Sequence, residues 1–420
     1  MRLKQPLLVQ IFCLILIFSF LFIRFGYEAT WQFWNIPVMS PHFADLRAIT
    51  HLSTTISLGF DPMEHHPGDP WQRPFNYPPV WKLLPLIGVS PHHTTVLGIL
   101  LIGLFLIGLY LPFSDLSWAQ SAYLMFGVLS PAVLLGIERA NVDLLIYFLM
   151  ALAVWMMRRS IAWAAILIQT AVFLKLYPLF GLISLAQAQK RAFLIIIALS
   201  LGASTLYFLT SFREILLTFK NTPKSYNLSY GIGVIPKRLE RSQFAPYARV
   251  ALILTSTTAV AIVMVGYFFG RKFDLSNDYQ SERYLNAFQV GSAIYIGTFL
   301  LGNNFDYRLM FLLLTIPQLF WWWQCPSPFI RAIAKISGIA LYLSLWHRLI
   351  LRGVEWLLPA NFAGSFTRAL VFFPDELANW VLFCGLVFLF APSLPRWFYP
   401  ASKWGNSLSR LTADNEDQFP

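Results

Sequence analysis

The chain has 420 residues, of which 57% are hydrophobic and 12% charged, at a mean hydropathy of +0.59. A water-soluble domain with that balance would expose large apolar patches, so the composition excludes one and points to an all-α protein that crosses a membrane many times. The net charge of +11 would suggest nucleic acid in a soluble protein; here it belongs to loops and lipid headgroups, and nucleic acid is not expected as a partner.

Residues 6–25 are an apolar run of roughly the twenty residues that cross a bilayer as a helix. Arg2 and Lys4 before it favour a cytoplasmic start, and the run outlasts a signal-peptide core with no A-x-A site after it. Further apolar segments at 94–113, 117–137, 142–157, 161–176, 178–189, 192–211, 250–270, 284–302, 309–324, 332–351 and 377–394 bring the expectation to about twelve crossings. Alternate connections then hold Arg158-Arg159, Lys190-Arg191, Arg271-Lys272, Arg331 and the Arg396, Lys403, Arg410 tail, as the positive-inside bias requires. This alternation needs FLKLYPLFGL (173–182) to be a turning point, which Pro178 favours. Residues 1–400 read as one transmembrane domain and 401–420 as a disordered cytoplasmic tail. Cys13, Cys325 and Cys384 are too far apart for a disulfide framework or a zinc site and read as packing residues. The aromatic run WWWQ (321–324) reads as an interfacial belt.

The external face receives 27–93, 136–143, 212–249, 303–308 and 352–376, and nearly all chemically informative residues with them. After Asp45, the pattern Leu46, Ile49, Leu52, Ile56, Phe60 predicts an amphipathic helix along the membrane surface. Asp45 suits two roles there, an N-cap or a general base for an incoming hydroxyl, and spacing does not separate them. The stretch GFDPMEHHPGDPWQRPFNYPPVWKLLP (59–85) reads as a stiff, membrane-hugging loop. Its adjacent histidines, with Asp61, Glu64 and Asp69, admit a divalent cation, but adjacent histidines in a flexible loop seldom make a defined site; a solvated loop, no metal and no cofactor are the expectation.

An acid soon after the first transmembrane helix, G-x-D-P (Gly59, Asp61, Pro62), Y-P-P (Tyr77, Pro78, Pro79), Asn-x-Asp (Asn141, Asp143), K-x-Y-P (Lys175, Tyr177, Pro178) and DYR at 306–308 together resemble glycosyltransferase family 87 of the GT-C superfamily. The likeness covers roughly residues 20–190 and departs at Met63, where an aromatic residue is commoner. It implies an inverting, multi-pass glycosyltransferase of the cytoplasmic (inner) membrane. Such an enzyme moves a sugar, mannose foremost, from a polyprenyl-phosphate donor to a glycan or glycolipid acceptor on the external side. It also implies an acid of the first external loop as base, which Asp45 matches best and Asp61 second. Tyr77, Asn141, Asp143 and Tyr177 are the matching substrate-binding candidates.

A lipid phosphate leaving group gains negative charge in the transition state and needs cations. Lys175, at the outer end of a helix, fits that need, against the alternative of a lysine snorkelling to the interface. Arg308 fits it too, against a local pair with Asp306; Arg139 reads as a partner of Glu138. In the basic loop 212–249, Lys237 and Arg238 follow the Gly-rich turn YGIGVIP and are further phosphate-binding candidates, with attraction to anionic headgroups as the alternative. Two other functions fit less well. A flippase or transporter of lipid-linked saccharide would place its charges at midmembrane on broken helices, and an O-antigen ligase or polymerase would use a pyrophosphate donor.

Overall fold

The computed structural model describes residues 5–357 and 365–399; the tail 401–420, Arg2, Lys4, Lys403 and Arg410 lie outside the described residues. In chain order, Pro6–Phe25 (α1) and Tyr27–Phe33 (α2) lead to the surface helices Ala44–Thr50 (α3) and Leu52–Ser57 (α4). A 3-10 helix, Pro79–Ile87, leads into Thr94–Tyr110 (α5), Trp118–Val128 (α6), Pro131–Glu138 (α7), Asp143–Met157 (α8) and Ile161–Leu174 (α9). A second 3-10 helix, Tyr177–Gln187, is followed by Lys190–Thr210 (α10), Phe212–Asn221 (α11), the strand Ser229–Tyr230 (β1), Val234–Glu240 (α12), Ala248–Gly270 (α13) and Glu282–Leu301 (α14). The strand Asn304–Phe305 (β2), a third 3-10 helix Asp306–Leu314, Ile316–Trp322 (α15), Pro328–Leu357 (α16) and Ser365–Ser393 (α17) complete it.

Seven helices are long and apolar enough to cross a membrane, or eight if the α6–α7 pair, bent by 60° at its break, is one span. The bend follows from Ser130-Pro131: Ser130 caps α7 by accepting from the Val133 N–H, and proline takes the first helical turn. The other four of the twelve expected segments are shorter. The α8 and α9 helices have 15 and 14 residues, about 22 Å of α-helix against a hydrocarbon core of about 30 Å. Residues 178–189 fall largely in a 3-10 helix, and 309–324 is divided between a 3-10 helix that ends at Leu314 and the short α15; a 3-10 rise of about 2.0 Å per residue carries fewer residues further. Apolar runs report burial, and cannot tell these windings apart.

The expected turning point is present. Helix α9 stops at Leu174, Lys175 is extended (φ −156°, ψ 128°), and Pro178 sits in the first turn of the following 3-10 helix. Helix α14 is the hub, 83% buried along its most apolar window, whereas α10 and α13 are only 11% buried and turn their side chains outward to lipid. Asp115, Arg158, Asp274, Glu282, Arg283 and Arg396 pair with one another at one end of the bundle; the loops bearing Asp45, Asn141, Lys175 and Arg308 meet at the other.

Several local expectations are corrected. The tryptophan run is in part packed inward: Trp322 is fully buried, and its indole and those of the half-buried Trp321 and Trp323 donate to Asp278 and Ala334. The helix after Asp45 is broken at His51, and while Leu46, Ile49 and Leu52 are buried, Ile56 and Phe60 are exposed. The histidine-rich loop is in part packed rather than solvated. His66 is buried between Thr55 Oγ1 (2.5 Å) and Ala48 O (2.9 Å), His51 bonds Gly68 O at 2.6 Å, and burial lowers the pKa of both rings.

The Gly-rich turn serves backbone packing. At Gly231 (φ +113°) a Cβ would stand 2.1 Å from Gly302 O, and the N–H of Gly233 donates to that oxygen at 3.0 Å. Only glycine allows this approach. It lets β1 pair antiparallel with β2, which ties the loop 212–249 to the segment carrying Arg308.

Candidate functional site

Where these loops meet, a cavity of about 390 Å³ is lined by Asp45, Arg73, Tyr77, Arg139, Lys175, Tyr307, Arg308 and the segment 221–223, among others. Asp45 is the second residue of α3, whose N-cap is Phe43 in a left-handed conformation (φ 61°). It is therefore not the N-cap that its position suggested. Its N–H donates to Arg139 O (3.2 Å) across the cavity wall, and its carboxylate, 19% exposed, reaches away from its own helix. Asn141 Nδ2 donates to Oδ2 at 2.6 Å, and Arg73 Nη1 lies 3.6 Å from Oδ1.

Arg73 went unnoticed in the sequence. Its guanidinium is locked in place by the buried Asp69, which accepts from Nε (3.0 Å) and Nη2 (2.9 Å), while Nη2 also donates to Ala44 O (2.6 Å). Burial opposes ionisation of Asp69, but the bonds from Arg73 outweigh it and hold the carboxyl below its usual range. The acid four residues before an arginine in a proline-rich loop was the available signal.

Asn141 joins the two halves of the site. Its Nδ2 serves Asp45, and its Oδ1 accepts from Lys175 Nζ (3.2 Å) and the Asp143 N–H (2.9 Å). An amide is suited to this because it presents a donor to the acid and an acceptor to the ammonium. Asp143, fully buried at the start of α8, takes Lys175 Nζ at 2.5 Å and Tyr177 OH at 2.7 Å on Oδ1, and stands 3.5 Å from Arg308 Nε through Oδ2. Lys175 is thus turned inward and does not snorkel. Its ammonium also lies 5.4 Å from the Tyr77 ring centroid and 5.7 Å from that of Tyr307, and the Arg308 guanidinium lies 4.8 Å over Tyr177, distances at which ring quadrupoles stabilise a cation.

Arg308 has no pair with Asp306. Its Nη1 donates to Asn304 Oδ1, and Asp306 points the other way, 3.4 Å from His347 Nε2. Successive residues of the 3-10 helix diverge, so neighbours in sequence serve different clusters. Burial pulls the Arg308 pKa down, but Asp143 and the surrounding tyrosines outweigh it and the net shift is upward.

Asn141, Asp143 and Tyr177 do not line the cavity; they stand behind it and hold the lining cations. Asp61 is elsewhere, in a turn where Oδ1 accepts from the Met63 N–H (3.0 Å) and pairs with Lys82 (3.2 Å). Lys237 and Arg238 are also corrected: neither lines the cavity. Lys237 pairs with Glu240 at 2.7 Å, and Arg238 lies 3.7 Å over the Phe372 ring. From that loop, Asn221 and Thr222 reach the cavity instead, and Asn221 Nδ2 fastens the wall by donating to Met63 O (2.7 Å) and Phe75 O (3.0 Å). Arg139 pairs with Glu138 (3.1 Å) and also faces the cavity. Among the described residues, no three His, Cys, Asp or Glu side chains are grouped as a metal ion would need.

No family model matches the chain, and no curated protein matches it.

Proposed function

We propose that this protein is an inverting glycosyltransferase that moves a sugar, mannose foremost, from a polyprenyl-phosphate donor to a glycan or glycolipid acceptor at the face where the cavity opens. The observation that carries this reading is one cavity with a carboxylate on one wall and, on another, two cations sharing a single carboxylate. Asn141, by its hydrogen bond, and Arg73, 3.6 Å away, hold the Asp45 carboxylate at the cavity wall, where a base must stand. Lys175 and Arg308 carry two positive charges against one on Asp143, so their side of the cavity favours an added anion. In the reaction, the acceptor hydroxyl oxygen bonds to the anomeric carbon and gives its proton to Asp45. The bond from that carbon to the phosphate oxygen breaks, and the lipid phosphate leaves with the electron pair beside Lys175 and Arg308. The family resemblance supports the donor class; the cavity supports the division of labour.

The test incubates purified protein with a panel of polyprenyl-phosphate sugars and an acceptor extract, beside Asp45→Asn. Asparagine can still accept from Asn141, so the variant should fold, while transfer falls about two to four orders of magnitude. Consumption of no donor in the panel, or equal turnover by the variant, would reject the reading.

A further inference from the structure

We propose that α11 lies in the headgroup layer of the membrane at the cavity mouth and that Lys220 and Lys224 form a binding site there for anionic lipid phosphate. The helix follows α10, a candidate span of mean hydropathy 2.2 that is 11% buried, with only Ser211 between them. The last turns of α10 are lipid-facing, with Leu206 and Leu209 65% and 66% exposed. The chain is therefore still at the membrane surface when α11 begins.

At about 100° per residue, Phe212, Leu216 and Phe219 fall on one face of α11, and all three are exposed, at 49%, 48% and 56%. Ile215 and Thr218 fall on the side facing the protein and are buried. Thr218 Oγ1 donates to Tyr77 O at 3.0 Å, which fixes the roll of the helix against the cavity wall. Lys220 projects beside the apolar face on the side of the helix away from Ile215 and Thr218, the level at which phosphate headgroups stand when an amphipathic helix rests in an interface. Arg213 is paired with Glu64 at 2.5 Å. Lys220 and Lys224 are exposed and flank residues 221–223, the part of this loop that lines the cavity. A lipid phosphate held by them stands at the opening, its tail alongside Phe219 and Leu216.

In a chain with Cys13, Cys325 and Cys384 replaced by serine, spin labels at Leu216→Cys and Phe219→Cys in neutral-lipid nanodiscs should be more accessible to oxygen than to a water-soluble nickel chelate. A label at Lys220→Cys should show the reverse. With the native cysteines kept, Lys220→Gln/Lys224→Gln should weaken binding of fluorescent phosphatidylglycerol by about fivefold per lysine, while Lys237→Gln, at a residue engaged with Glu240, changes it little. Nickel accessibility exceeding oxygen accessibility at 216 and 219, or equal lipid affinity in the wild type and the double variant, would overturn the proposal.

Discussion

Asp143→Asn tests the site's geometry without assuming any reaction. The carboxylate is fully buried and takes Lys175 at 2.5 Å and Arg308 at 3.5 Å, with both cations largely removed from water. Asparagine matches the carboxylate in size and can still accept one hydrogen bond, so little packing is lost; the change removes one charge from a buried triad. Breaking a buried ion pair by removing one partner costs about 3–5 kcal/mol, because the desolvation penalty of the remaining charge stays uncompensated. That is a large part of the ~5–15 kcal/mol that holds an ordinary domain together. Heating detergent-solubilised protein and following the monodisperse fraction should show a melting temperature lower by about 3–6 °C. The decisive comparison is Asp143→Asn/Lys175→Met, which removes a cation along with the acid. It should be more stable than the sum of the single variants implies, with a coupling of about 1 kcal/mol or more. A variant that melts with the wild type, or strict additivity, would show that the triad is not a desolvated unit and would undo the charge argument built on it.

Lys175→Met should lower transfer about 10²- to 10³-fold, the usual loss for one donor to a developing oxyanion, while Lys175→Arg keeps part of it; equal activity in the two, measured with the donor at saturation, would deny the cation a role. Lys237→Gln should leave the donor KM within about twofold, since a partly exposed ion pair such as Lys237–Glu240 contributes little. Burial pushes the Asp306 carboxyl up to about 7, Asp375 adds to this, and His347 and Arg348 oppose it. The native chain therefore holds a proton that the unfolded chain releases near its ordinary value of about 4, so this group's stabilisation is full below about pH 4 and is lost as pH rises through 7. Asp306→Asn should flatten the fall in melting temperature between about pH 5 and 7, and an unchanged slope would contradict the assignment. Asn221→Ala should cost about 1–3 kcal/mol, because the Met63 and Phe75 carbonyls lose their donor; thermal unfolding reads this directly.

Much of the site was legible in the sequence because its residues sit where apolar segments end. A charged or amide side chain at such a boundary either faces water or finds a partner on a neighbouring segment end, and Asn141, Asp143, Lys175 and Arg308 do the second; Asp45, in the loop beyond the first apolar run, was legible as the acid ahead of an amphipathic pattern. Arg73 escaped because loop residues carry no period, and only tertiary structure shows which way they point. Lys237 and Arg238 were misplaced for a related reason: counting charge in a loop gives its total field and not its side-chain directions. What aimed that loop was the close approach of Gly231 to Gly302, a contact between backbones that the sequence records as two glycines seventy-one positions apart. The 3-10 windings were hidden because a buried apolar run has the same composition in either helix.

A second group of buried ionisable side chains bears on enzyme against transporter. His347 lies 3.4 Å from Asp306 and 3.7 Å from Asp375, and Glu376 is buried beside them. Ionisable residues within membrane helices usually mark a path for ions or substrate, which alone would favour a flippase. Their position argues otherwise. Asp306 opens the 3-10 helix that carries Tyr307 and Arg308, and Asp375 of α17 meets the same His347 as Asp306 does. The group therefore packs behind the cavity at the same end of the bundle; between it and the charged pairs at the opposite end, Arg158 with Glu282 and Arg396 with Asp274, the buried polar side chains of α14, Asn286, Gln289, Ser292 and Thr298, carry no charge. A path for ions would need ionisable groups at intervals across the bilayer. This cluster stands on one side, where it braces the wall that bears Arg308, and that favours a site reached from the membrane face over an ion route through it.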